Sequence, residues 1–148
     1  MGARRDAIAI AAAALARRDL SRDALTRRLE AAGVEADAAR EVADRLASHG
    51  LVDDLRTARL SAQRLAERGY GDAAIAARLE REGIDGEQSE IVLRELEPEA
   101  ERALRLARGQ RWDDVRRMAR LLVRRGFGEE AVDAALSRLD APGEPELR

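Results

Sequence analysis

The chain has 148 residues, no cysteine and a formal net charge of −2. The lack of cysteine excludes disulfides and thiolate metal sites, and the near-neutral charge excludes a global attraction to nucleic acid or anionic lipid. All 27 cationic side chains are arginine, whose planar guanidinium binds a carboxylate or a phosphate through two hydrogen bonds. No stretch approaches the ~18 apolar residues of a membrane span, so we expect a soluble, cytoplasmic protein.

The composition favours helix along the whole chain, because alanine, leucine, arginine and glutamate dominate and strand-like alternation is absent. The alanine-rich run 7–16 is followed at once by two arginines, which favours a first helix over an export signal. Ser21 is a suitable N-cap for the second helix, Gly33 ends that helix and Pro98 suits a first helical turn. The predicted helices are 5–17, 21–33, 36–48, 53–68, 72–82, 87–96, 98–109, 113–125 and 129–139.

One sequence pattern occurs in three copies along the chain. Residues 20–46 match residues 70–96 after a shift of 50 positions, and a further shift of 43 gives a third copy. Matched positions in the three copies are Leu25, Ile75 and Met118; Leu29, Leu79 and Leu122; Gly33, Gly83 and Gly126; Val34, Ile84 and Phe127; Val42, Val92 and Ala135; and Leu46, Leu96 and Leu139. Such a period predicts stacked units that share a core.

We therefore predict an all-α fold of three tandem three-helix repeats, stacked into an elongated, curved array. The predicted repeats are residues 5–49, 50–97 and 98–140, followed by a disordered tail, 141–148. Each repeat contains the pattern leucine, three residues, glycine and an apolar residue, which predicts a helix–turn–helix corner. The corner resembles that of DNA-reading domains. However, acidic residues such as Glu87, Glu129 and Glu130 occupy the start of the following helix, where they repel phosphate.

Charge is sharply divided along the chain. Residues 72–101 hold ten acids and three arginines, a net charge of −7, whereas residues 102–128 hold nine arginines and two acids, a net charge of +7. On the eighth helix, helical spacing predicts an apolar face of Val115, Met118, Ala119 and Leu122. Arg116, Arg117, Arg120 and Arg124 fall on the opposite face, and a second row of Arg102, Arg105 and Arg108 lies on the seventh helix. These arginines form either a solvated surface neutralised by the acidic segment or a docking surface for acidic protein or phosphate.

Catalysis has little support in the sequence. His49 is the only histidine and is expected to act as a cation at a helix end, and no cluster of metal-ligating residues or glycine-rich phosphate loop is present. The pairs Asp53–Asp54 and Glu129–Glu130 begin helices, where the helix dipole favours them. Trp112 is expected to be a core residue rather than a platform for base stacking. We expect no catalytic residue, cofactor or metal.

Several segments, in order, resemble the RecX family of bacterial regulators of the RecA recombinase. Residues 17–29 resemble the family's opening R-R-x-x-S-x-x-x-L-x-x-x-L, and residues 50–58 resemble its G-Y-L-x-D-x-x-F-A. Residues 69–83 resemble the second corner, and residues 125–127 resemble the R-G-F of the third. The resemblance spans about residues 7–139, with Leu51 in place of the common tyrosine and Thr57 in place of the common aromatic residue.

The resemblance implies a non-enzymatic modulator of RecA, expected to inhibit, that binds RecA or its filament on single-stranded DNA. Binding in the filament groove would restrain ATP hydrolysis, strand exchange and coprotease activity. The alternatives are a helical DNA-binding protein and a general protein-interaction scaffold. We expect a monomer that binds DNA directly only weakly. The candidate residues for binding RecA or DNA are Arg17, Arg18, Arg68, Arg116, Arg117, Arg120, Arg124 and Arg125.

Overall fold

A computed structural model describes residues 2–111 and 113–141, and within those residues the ordered elements are nine α-helices. The all-α prediction is therefore confirmed for the described part of the chain. The helices are α1 (Gly2–Arg17), α2 (Arg22–Ala31), α3 (Ala36–Ser48), α4 (Asp54–Glu67), α5 (Asp72–Arg81), α6 (Gly86–Glu95), α7 (Glu99–Arg108), α8 (Val115–Arg124) and α9 (Glu129–Asp140).

Helix starts follow the polar residues that can cap them. The Ser21 side chain accepts a hydrogen bond from the backbone N–H of Ala24 at 3.0 Å, which satisfies an amide left free in the first turn of α2. Asp53 does the same for the N–H of Arg56 at 3.1 Å, so it precedes α4 rather than lying within it. Pro98 likewise lies one residue before α7, not in its first turn as predicted.

Helix ends at the three predicted corners have the same hydrogen bonds. The N–H of the residue after glycine donates to the carbonyl five positions earlier: Val34 to Leu29 at 3.0 Å, Ile84 to Leu79 at 3.0 Å and Phe127 to Leu122 at 3.1 Å. Gly33, Gly83 and Gly126 all have positive φ, between 79° and 94°. This is the Schellman arrangement, which satisfies terminal carbonyls and places an apolar residue across the turn.

The chain divides into two compact units, of which the first contains Met1–Ser61 and Arg78–Val92. A core within it joins α1, α2 and α3. On α1 that core is lined by alanine alone at the fully buried positions, Ala7, Ala11 and Ala14, whose spacing gives a single face. Leu25 and Leu29 of α2 pack there without any exposed surface.

The second unit contains Ala62–Ala77 and Leu93–Arg148. Its core is formed mainly by α7, α8 and α9. Buried members are Ala103, Leu104, Ala107, Met118, Leu122, Phe127, Val132 and Ala135. The boundaries of the three predicted repeats stay a prediction, and the predicted tail lies, apart from Ala141, outside the described residues.

Glycine has two separate roles at these corners, and a pair of substitutions distinguishes them. Gly33 has open space around the position of a Cβ, whereas a Cβ on Gly126 would lie 2.5 Å from the Cβ and backbone nitrogen of Ala74. We predict that Gly33→Ala costs roughly 1 kcal/mol for its positive φ. Gly126→Ala should cost about 1–3 kcal/mol more, because the neighbouring backbone must also move. Urea unfolding of both variants measures the difference.

Gly86 provides the matched control for these two variants. It is the first residue of α6, has ordinary φ and has no atom within 4 Å of an added Cβ. Gly86→Ala should therefore leave the free energy of unfolding unchanged or slightly higher. Equal losses in Gly33→Ala and Gly126→Ala would contradict the close approach at Gly126.

Candidate protein-docking face

The eighth helix presents one buried face and one arginine-rich face. The carboxylate of Asp114 caps its start by accepting from the N–H of Arg116 at 2.8 Å. Met118 and Leu122 point into the core of the second unit, as predicted. The four arginines predicted to lie opposite, Arg116, Arg117, Arg120 and Arg124, are all exposed. We call these four residues the α8 arginine face.

Two valines on the same helix depart from the predicted pattern. Val115 was expected on the apolar face but is 50% exposed, so that prediction is wrong: the buried stripe begins one turn later, at Met118. Val123 is 61% exposed. It lies three residues after Arg120, which makes the two side chains neighbours on the helix surface, and two turns after Arg116 on the same side of the helix. The α8 arginine face thus has an apolar side chain at its edge.

Among the described residues, no carboxylate forms a salt bridge with the α8 arginine face. Three acids of the segment 72–101 that belong to the second unit pair with other arginines: Asp72 with Arg102, Glu97 with Arg105, and Glu101 with Arg138. Glu99 accepts the backbone N–H groups of Asp72 at 2.9 Å and Gly128 at 3.1 Å. These four carboxylates are therefore engaged within the second unit, and none of them pairs with the arginines of α8.

The prediction of a second row of surface arginines is wrong for Arg102. It is only 6% exposed, and its guanidinium donates to the carbonyls of Glu97 and Tyr70, each at 2.9 Å, besides pairing with the Asp72 carboxylate. Its terminal carbon also lies 6.0 Å from the centre of the Phe127 ring. Each of its three nitrogens donates a hydrogen bond within the unit, so Arg102 is a structural residue. Arg105 and Arg108 are exposed as predicted.

Two of the predicted binding residues meet where α8 ends. The Arg125 side chain donates to the Arg68 carbonyl at 3.0 Å and stacks over the Tyr70 ring at 5.1 Å, while its own carbonyl accepts from the N–H of Gly71 at 2.7 Å. Arg125 is therefore partly committed to packing. Arg68 keeps an exposed side chain. Arg17 and Arg18 are exposed as well but belong to the first unit.

The remaining candidate residues give no sign of a reactive centre. His49 caps the end of α3, with its Nδ1 2.8 Å from the Arg45 carbonyl, in keeping with the predicted position at a helix end. Trp112 lies outside the described residues. Within the described ranges, no group of three or more histidine or carboxylate side chains is arranged to hold a metal ion, and no helix is long and apolar enough to cross a bilayer.

Comparison with known proteins gives a consistent result. The regulatory protein RecX of Xanthomonas campestris pv. campestris (strain B100) is 35% identical over 129 residues, covering 82% of this chain and 80% of that protein. RecX of Xanthomonas axonopodis pv. citri (strain 306) is 37% identical over the same shares of each chain. No family model matches the chain. The identity to these two relatives, and the share of each chain that it covers, are sufficient to establish the family. The chain belongs to the RecX family.

Solved RecX structures have the same fold. The crystal structure of RecX from Lactobacillus salivarius superposes with a TM-score of 0.84, covering 94% of this chain and 97% of that one, at 18% identity. A second crystal structure of regulatory protein RecX gives a TM-score of 0.74 over 88% of this chain and 70% of that one, at 19% identity. At such low identities the likeness establishes the fold alone.

The two departures from the RecX sequence pattern lie in different environments. Thr57, in place of the common aromatic residue, is buried, and its hydroxyl lies 3.5 Å from the Leu20 carbonyl. Leu51, in place of the common tyrosine, is exposed beside the end of α3. The first change therefore affects packing inside the unit, whereas the second changes only the surface.

The buried position of Arg102 predicts a large effect on stability. Arg102→Ala should cost roughly 2–4 kcal/mol, because Asp72 and two carbonyls lose their shared donor. The value lies below that for a fully buried pair, since Asp72 keeps 38% of its side-chain surface exposed. Arg105→Ala, which breaks the exposed pair with Glu97, should cost less than about 1 kcal/mol. Thermal and urea unfolding of the two variants would contradict the structural role of Arg102 if the losses were equal.

Proposed function

We propose that this RecX-family chain is a non-enzymatic modulator of the RecA recombinase that binds RecA or its filament on single-stranded DNA and inhibits it. Membership of a family of regulatory proteins is the observation that carries the proposal. Binding along the filament would restrain ATP hydrolysis, strand exchange and coprotease activity, so the effect should reach more RecA protomers than there are bound molecules.

The α8 arginine face is the binding surface that we propose for RecA. Its four guanidinium groups are exposed and have no salt bridge to another described residue, so their donors are available to a partner. Like charges crowded on one helix face are mildly destabilising. Contact with carboxylates of RecA would remove that cost, and Val123 offers an apolar contact at the edge of the same face.

Direct DNA binding is the second candidate, because exposed arginines also bind phosphate. The acidic residues at the start of the helix that follows each corner disfavour its binding in a groove of DNA, where the second helix of a DNA-reading domain binds. Asp37 lies in the first turn of α3, Glu87 in that of α6, and Glu129 and Glu130 in that of α9. Carboxylates at these positions would repel the phosphate backbone. DNA contact through α8 alone would be weak and strongly dependent on salt.

An ATPase assay separates the two candidates. We expect the chain to inhibit the ATPase of RecA on single-stranded DNA when it is present at less than one molecule per RecA protomer. Mere competition for DNA would instead require enough protein to cover the DNA, and excess DNA would abolish it. Binding to DNA alone, followed by fluorescence anisotropy over a range of salt concentrations, completes the comparison. Inhibition that always scales with loss of free DNA would contradict the proposal.

Charge reversal on α8 tests the surface itself. The double change Arg117→Glu and Arg120→Glu should leave helicity nearly intact, because glutamate is also a good helix former. It should weaken RecA association at least about tenfold, since two attractive contacts become repulsive. The matched control is Arg5→Glu with Arg64→Glu, two exposed arginines without a salt bridge to another described residue. Equal affinity in the two double variants would move the binding surface away from α8.

A further inference from the structure

The first unit contains a groove of about 780 Å³ that the proposed RecA contact does not use. It lies among α1, α2 and the end of α5. Its lining combines five arginines with one glutamate and a set of aliphatic side chains. Lining residues are Arg18, Arg27, Arg28, Arg78, Arg81, Glu82, Ile10, Leu20, Ala24, Ala31 and Ala32.

Two of the five arginines are already engaged inside the unit. Arg27 pairs with Asp23 at 2.9 Å and donates to the carbonyl of Arg81 at 2.9 Å, so it caps the end of α5. Arg78 pairs with Glu82, the only acid in the lining, at 3.0 Å. That pairing neutralises the glutamate.

Three guanidinium groups remain with donors unused by the described residues: those of Arg18, Arg28 and Arg81. The last turns of α2 and α5 contain Arg28 and Arg81, where the helix dipole favours a cation. The dipole accounts for each of these separately. It does not account for their convergence with Arg18, which follows α1, around one groove. Guanidinium groups that line one groove and pair with no carboxylate of the described residues are suited to an anionic ligand.

The aliphatic floor of the groove favours an acidic peptide over a nucleic acid as the anionic ligand. It is made of Ile10, Leu20 and alanines of α2, without an aromatic side chain. Single-stranded nucleic acid is normally held by stacking on aromatic rings, and a phosphate backbone would leave the aliphatic floor uncovered. A peptide with carboxylates and one aliphatic side chain would use both the guanidinium groups and the floor. We propose that this groove binds an acidic peptide segment of a partner protein, anchored by an aliphatic side chain.

Fluorescence anisotropy with a labelled peptide, Ser-Glu-Asp-Leu-Glu-Asp-Ser, tests the proposal on the full chain without RecA, so the result is independent of the function proposed above. We expect saturable binding that weakens as salt is added. Replacing leucine by serine in the peptide should weaken it several-fold. The variant Arg28→Ala with Arg81→Ala should lower affinity at least about tenfold. Both residues are exposed and have no salt bridge to another described residue, so the fold should persist, as circular dichroism would verify.

Arg5→Ala with Arg64→Ala is the matched control, because both arginines are exposed and lie outside the groove and the α8 arginine face, and it should bind the peptide as the parent does. Three results would overturn the proposal: no saturable peptide binding by the parent, equal binding by the groove variant, or equal binding of the leucine and serine peptides. A single-stranded oligonucleotide, poly-dT, is the competitor. If it displaces the peptide at lower concentration, and the groove variant loses that binding too, the groove is a nucleic-acid site instead.

Discussion

Tight backbone contact at the helix corners is the constraint on which the structure depends. Positive φ at Gly33, Gly83 and Gly126 lets the chain leave one helix and enter the next within a few residues. The recurring hydrogen bond from the residue after glycine then holds an apolar side chain across the turn. Without these corners, helices of about ten residues would not be stable, since helices this short depend on packing for most of their stability.

Two of the corners also form a hydrogen bond with the residue that precedes an earlier helix. This contact occurs once in each unit. In the first unit the Ser21 hydroxyl donates to the Glu82 carbonyl beside Gly83. In the second, the N–H of Gly71 donates to the Arg125 carbonyl beside Gly126. Ser21 matches Gly71 under the shift of 50 residues, and Glu82 matches Arg125 under the shift of 43. At the second of these contacts glycine is needed, because a Cβ on Gly71 would collide with the backbone at Phe127.

The sequence was sufficient to predict the helices and corners but not the surroundings of individual arginines. Periodic leucines and glycines report local geometry, which is why the predicted and observed helix ends differ by only a few residues. Arg102 differs, because its burial depends on Tyr70 and Asp72, about 30 residues away. In the sequence, the one indication that Arg102 is buried was its position next to the apolar residues Ala103 and Leu104, which are both buried in the structure. The groove of the first unit was missed for the same reason: Arg28 and Arg81 are separated by a whole repeat.

Arginine therefore serves two purposes that only the three-dimensional structure separates. In the second unit three acids of segment 72–101, Asp72, Glu97 and Glu101, pair with arginines of α7 and α9, so these opposite charges neutralise one another within the unit. The exposed arginines of α8 form no salt bridge with a described residue, although the chain as a whole is nearly neutral. Net charge would suggest no attraction to an anionic partner, whereas the local surplus provides it. A partner that binds this face as we propose would have to supply carboxylates or phosphates, and exposed Val123 beside the arginines favours a protein over a phosphate backbone.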